Sequence, residues 1–241
     1  VDFMPLSVDY QEKFASTGKI PGGFLKRESR LSDYEILISR LVDRALRPLF
    51  PSDFHAETQV NITLISGDAN ALPDSLAAFA ASAALSISSI PWGGPISEVR
   101  VVRVDGKFIV NPTLADKERA DIDLIVAASI ENILMVEGEM KEVSEDDMLE
   151  ALKLAHDAIK VQCQVQLDLA KELGKTEKRT YNHEENDETL REELNALLYP
   201  KVYAVAKQQI KDKKARGKAF KQICEDYLAT LPEDTTIDKG L

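Results

Sequence analysis

Two cysteines, one tryptophan and three histidines are all that a chain of 241 residues offers in these types. Cys163 and Cys224 stand far apart, each in sequence of helical character. That argues against a disulfide framework and for a reduced, cytoplasmic setting. His55, His156 and His183 are scattered and meet no cysteine cluster, so zinc-ligand spacing is missing. A glycine-rich phosphate loop and a nucleophile elbow are missing too. No apolar run is long enough for a bilayer; the nearest, "SLAAFAASAALSISSI", is short and rich in Ala and Ser. The opening residues lack the basic head and apolar stretch of a signal peptide. They also lack an initiator Met and begin in strand-like sequence, which reads as a piece of a longer chain. Cations are in deficit, 30 against 41 acids, for a formal charge of −11. A wholly basic coating for nucleic acid is thereby excluded, although local patches are not. The acid pairs Asp121/Asp123 and Asp146/Asp147 sit at a strand start and in a helical first turn, where structural roles suffice. No catalytic residue is assigned.

What the chain does have is an ordinary globular composition, 44% hydrophobic and 29% charged. "PLSVDYQEKF" alternates as a strand, and residues 15–31 read as a loop. Ser32, with Glu35 three residues on, opens a capping-box helix that runs to about Arg47. "TQVNITLIS" alternates again, and "DSLAAFAASAALSIS" reads as a helix with small residues for close packing. "SEVRVVRVDGKFIVNPT" is a hairpin turning at Asp105-Gly106. "DIDLIVAAS" and "NILMVEGEM" supply two more strands, and Ser144 starts a long helix that stops at Gly174. This order predicts an α+β fold, a mixed sheet with packed helices. From residue 175 a polar linker follows, then helical patterns near 187–198, 201–214 and 216–229, punctuated by Pro200 and Gly217. The expected division is 1–174 for the α+β domain and 175–241 for a small all-helical one.

Against the acidic background, residues 19–47 form a basic island with seven Lys/Arg and four acids. It starts in "GKIPGGFLKRESR", where Lys26, Arg27 and Arg30 can neutralise phosphates and Phe24 offers a face for base stacking. A solvated surface loop is the plain alternative. The island continues with Arg40, Arg44 and Arg47, whose spacing places them on one helical stripe. Three guanidinium forks there can clamp an anion, and only Asp43 lies close enough along the helix to compensate them. A second basic run, residues 201–221, holds eight cations against Asp212 and suits either RNA or water. Two functions fit these features by themselves: a stand-alone RNA-binding or scaffold module, and an enzyme for a small phosphorylated metabolite.

One segment, "DFMPLSVDYQEKFASTGKIPGGFLKRESRLSDYEILISRLVDRALRPLFP", resembles the first RNase PH-like core domain of the bacterial polynucleotide phosphorylase family. "SAALSISSIPWGGPISEVRV", "VNPT" and "ILMVEGEMKEVSEDDMLEAL" resemble the same family in the same order, over roughly residues 1–170. The resemblance implies an RNase PH-like (ribosomal protein S5 domain 2-like) fold followed by a helical linker domain. It implies a homotrimeric, Mg²⁺-dependent 3′-to-5′ exoribonuclease that uses inorganic phosphate to release nucleoside diphosphates from single-stranded RNA, reversibly. Partners in RNA-degradation machinery are implied as well, and no membrane. In the family a Phe-Phe-Arg-Arg loop lines the RNA channel; Phe24, Leu25, Lys26 and Arg27 stand at those positions, with Leu25 replacing an aromatic. Arg30, Arg40 and Arg44 match further arginines of the channel loop and the anion-facing helix. The family's phosphate-binding serines and metal-binding aspartates lie in a second core domain outside this sequence, as do its terminal RNA-binding modules.

Overall fold

The structure is a computed structural model that describes residues 3–18, 20, 30–68, 70–181 and 187–231. By its internal packing the chain divides into two compact units, Val1–Asn182 and His183–Leu241.

In the first unit, β1 (Leu6–Glu12) and β2 (Thr58–Leu64) pair in parallel as a two-stranded sheet. Between them runs α1 (Asp33–Leu46). Its start is the expected capping box: the Ser32 hydroxyl accepts from the Glu35 amide, and the Glu35 carboxylate accepts from the Ser32 amide. The same carboxylate also accepts from the Glu12 amide at 2.7 Å, and Ser39 Oγ accepts from the Tyr10 amide at 2.9 Å. Helix α1 is therefore stapled to β1 through two of its own side chains. Burial alone would raise the Glu35 carboxyl; the Ser32 and Glu12 amides and the Ser32 hydroxyl outweigh it and hold it below the usual range.

A second sheet has the order β4-β3-β5-β6 and is antiparallel throughout. Its strands are β3 (Ile96–Val104), β4 (Lys107–Val110), β5 (Ile122–Ser129) and β6 (Ile133–Met140). The expected mixed sheet thus resolves, among the described residues, into one parallel and one antiparallel sheet. The β3–β4 hairpin turns where Sequence pattern placed it: Asp105 (φ 51°) and Gly106 (φ 75°) both take the left-handed conformation that a two-residue hairpin demands. Gly138 has a different task. A Cβ there would lie 2.1 Å from the Asp123 carbonyl oxygen, so only glycine lets β6 approach β5.

Both faces of the central strands are covered. Val99, Val101, Leu124 and Val126 pack on Ala151, Ala155, Ile159 and Cys163 of α4 (Glu145–Glu172). On the other face, Ile96, Ile125 and Ala127 join a core with α1 and with α2 (Asp74–Ile87). The small side chains Ala77, Ala78 and Ala81 of α2 are buried there, as its composition predicts. A short helix that the patterning did not reveal, α3 (Leu114–Arg119), is opened by a Thr113–Asp116 capping box.

The polar segment after α4 is held on this unit. Lys178 Nζ donates to the carbonyls of Leu85, Ser86 and Ser88 at 2.8, 2.9 and 2.8 Å, closing the C-terminal end of α2. Tyr181 packs edge-on to Phe54, ring centroids 4.8 Å apart, and its hydroxyl accepts from the His55 amide.

The second unit contains α5 (Glu188–Lys207) and α6 (Lys213–Leu228). Three helical patterns were expected, and two helices are found among the described residues. Helix α5 runs through Pro200, which removes one amide donor on an exposed helix whose flanks favour helix on both sides. Helix α6 runs through Gly217. The real break lies at Gln209 (φ 50°) and at Asp212, whose carboxylate accepts from the Lys214 and Ala215 amides as an N-cap. Asp212 is thus both the acid of the basic run and the signal in the sequence that opens α6.

Candidate nucleic-acid interface

The basic island divides at the limit of the description. Phe24, Lys26 and Arg27, with Leu25, lie outside the described residues. Arg30 lies within them and is exposed, just ahead of the α1 cap.

The arginine stripe of α1 has three different fates. Arg40 is exposed, and among the described residues no carboxylate pairs with it. Arg44 reaches across to β6 and meets Glu137 at 2.6 Å, both side chains about half exposed. Arg47 donates twice to Asp43, at 3.1 and 2.6 Å, and also to the Met4 and Leu6 carbonyls at 2.9 and 3.0 Å. The expectation that one acid alone could compensate this stripe is therefore corrected. Glu137, ninety-three positions away in sequence, comes beside the helix through the sheet. Arg47 ties the end of α1 to the entry of β1, and its fork is fully engaged in that.

Two grooves run along this face of α1. One, of about 480 Å³, includes Val8, Asp9, Leu31, Ile36, Arg40 and Arg44 in its lining. The other, of about 370 Å³, is formed by Asp33, Ile36, Leu37, Arg40, Leu41, Arg44 and Glu137. Arg40 and Arg44 belong to both, beside exposed Ile36 and Leu37. An exposed guanidinium that is unpaired among the described residues, next to a solvent-screened ion pair, is chemically suited to hold an anion weakly and exchangeably. A phosphate can compete with Glu137 for Arg44 because exposed pairs of this kind are worth little.

Next to the grooves lies a larger cavity of about 700 Å³ that includes Arg100, Lys117, Asp121, Asp123 and Gly138 in its lining. Its polar floor is a buried network that periodicity could not reveal, because β3 looks half solvent-facing in sequence. Arg100 donates to Asp74 at the start of α2, the shorter contact 2.5 Å, and to Asp123 on β5. Burial works against the Arg100 charge, and these two carboxylates more than restore it. Lys117 adds a contact to Asp123 at 3.9 Å. Asp121 is bound by Arg103, which also meets Asp147. Glu98, beside this network on β3, is 2% exposed; burial first and Asp74 second push its carboxyl well above the usual range, and its Oε2 has no hydrogen-bond partner among the described residues. The implied Mg²⁺ does not fit here. Every aspartate of the cavity is occupied by a cation, and no group of three or more metal-ligating side chains occurs among the described residues. No helix among them is long and apolar enough to cross a membrane.

With this geometry in hand, comparison with known proteins defines the class. The model of the 3′ exoribonuclease family, domain 1, matches residues 1–91, and that of domain 2 matches residues 94–158. The chain belongs to the 3′ exoribonuclease family, with an RNase PH-like α+β fold. More narrowly, it is similar to polyribonucleotide nucleotidyltransferases. The protein of that name from Cytophaga hutchinsonii is 63% identical over 241 residues, covering 100% of this chain and 34% of the relative. Those from Parabacteroides distasonis and Bacteroides fragilis are 59% and 57% identical, over 100% and 99% of this chain and 32% and 34% of theirs. The chain thus spans about a third of the length of the curated relatives it matches.

Proposed function

We propose that this chain is the RNA-guiding part of a phosphate-dependent 3′-to-5′ exoribonuclease. The observation that carries the reading is identity of 63% with a polyribonucleotide nucleotidyltransferase along the whole chain. The reaction transfers the terminal nucleotidyl group of single-stranded RNA to inorganic phosphate. A phosphate oxygen bonds to the last phosphodiester phosphorus, the bond to the preceding 3′ oxygen breaks, and a nucleoside diphosphate leaves; the reverse reaction extends the RNA. Phosphate and Mg²⁺ are assigned to the part of the protein beyond this chain, because the aspartates lining the large cavity are paired with cations and no group of three or more metal-ligating side chains occurs among the described residues. Within this chain, Phe24, Lys26, Arg27 and Arg30 act on passing RNA, and Arg40 with Arg44 attract its phosphates. Arg47 supports the geometry of the helix that carries them. Residues 1–174, with the polar segment to Tyr181 that packs on them, form the first core domain of a homotrimer working in the cytoplasm with RNA-degradation partners, and the helices that follow form its helical linker domain.

The test uses the full-length protein and single-stranded RNA. Diphosphates should appear only when phosphate is supplied; tight binding with no release would favour an RNA-binding module instead. The Lys26→Ala/Arg27→Ala variant should bind RNA more weakly whatever its sequence. Its log–log salt slope should flatten by about 0.7 for each lost phosphate contact. An unchanged slope would remove the loop from the interface.

A further inference from the structure

Helix α5 carries an aromatic and basic ladder that the function above does not use. Tyr199 and Tyr203 stand one turn apart and are 63% and 54% exposed. Their rings stack with centroids 6.1 Å apart and planes inclined by 17°. One turn further, Lys207 places its Nζ 5.7 Å from the centre of the Tyr203 ring. Two large aromatic faces are thus held parallel in water, with a cation at one end. Holding them so gains little for a helix by itself, since a tyrosine pair on an exposed face buries scant apolar area.

The charge around the ladder indicates its occupant. From Tyr199 to Lys221 the chain has eight Lys/Arg and one acid, within a protein of net −11. Lys201, Lys207, Lys211, Lys213, Lys214 and Arg216 are all exposed. The single acid, Asp212, has its carboxylate engaged as the cap of α6. Tyrosine faces meet bases, and lysines meet phosphates without needing a fixed geometry. This is the combination by which sequence-tolerant single-strand binding works. Protein interfaces use tyrosine as well but are depleted of lysine, so it is the dense lysine surround that favours RNA over a protein partner.

We infer that Tyr199, Tyr203 and Lys207 form a stacking platform for single-stranded RNA on the helical unit, separate from the α1 face. The inference rests on the RNA-directed reading above and adds a second place at which the substrate is held.

The test compares Tyr199→Leu/Tyr203→Leu with Tyr199→Phe/Tyr203→Phe in the full-length protein, using a fluorescent twelve-nucleotide oligoadenylate and anisotropy over a salt series. The Leu pair keeps apolar bulk and loses the π-faces, so its Kd should rise about tenfold, whereas the Phe pair should bind within about twofold of the parent. Lys207→Gln should reduce the salt slope by about 0.7 and leaves the tyrosines in place should the Leu pair misfold. Parental affinity for the Leu pair, or equal losses for Phe and Leu, overturns the platform. A change in oligomeric mass with unchanged RNA affinity also overturns it and makes the face a contact between copies. Phosphate-dependent diphosphate release by the parent separates the two failures. If the parent releases diphosphates and the Leu pair binds normally, only the platform falls; if the parent neither binds nor releases, the underlying reading falls with it.

Discussion

Glu98 is a carboxylic acid sealed between a sheet and two helices, with Arg100 already claimed by Asp74 and Asp123. Its folded-state pKa is raised, chiefly by burial, above the value near 4.3 of an unfolded glutamate. Below that value both states hold the proton and the group has no effect on stability. As the pH rises from there the unfolded chain loses the proton and the folded one keeps it, so stability falls until the folded value is passed. Glu98→Gln has nothing to titrate. Urea denaturation should therefore show the variant gaining on the parent from pH 4 to pH 8. A stability difference that stays constant across that range would mean Glu98 is ionised when folded. The three α1 arginines make the same point without titration: equal residues on one stripe have unequal roles, because each role is set by what the rest of the fold brings opposite.

At the scale of elements, what was legible was local. The capping box at Ser32, the Asp105-Gly106 turn and the small-residue packing of α2 depend on neighbours a few positions away, and each is found where the pattern puts it. What was hidden depends on long-range pairing. Alternation along β3 shows polar Glu98 and Arg100 on one face, which suggests solvent; only α2 and β5 arriving over that face make it a buried network. Glu137 beside Arg44 was hidden for the same reason. The segment around Lys178 looked like a linker since it is polar, yet its lysine closes a helix end far away in sequence. Burial lowers the Lys178 pKa, because desolvation disfavours the ammonium. Lys178→Met should leave those carbonyls without their cation and cost about 2 kcal/mol. Thermal unfolding should register the loss, and limited proteolysis should cut sooner around residues 175–181. Parental stability in the variant would reduce the contact to a surface decoration.

For the whole molecule, the proposed role raises the question of how a chain of net −11 could attract a polyanion at all. Screening supplies the answer, since charges more than about 8 Å apart hardly sense each other at physiological salt. An RNA phosphate beside α1 would respond to Arg40 and Arg44, and little to acids on distant surfaces. The salt dependence of binding must then count local cations, so affinity should fall with salt despite the acidic body. Arg40 and Arg47 allow a crossed test of this in the full-length protein. Arg40→Ala removes an exposed guanidinium, unpaired among the described residues, and should flatten the RNA salt slope by about 0.7 with the denaturation midpoint unchanged. Arg47→Ala breaks two hydrogen bonds to Asp43 within α1 and two to the Leu6 carbonyl of β1 and the Met4 carbonyl before it, and should lower the midpoint with the slope unchanged. Affinity that rises with salt would show net charge in control, and equal slopes in the parent and both variants would place the RNA away from this face of α1.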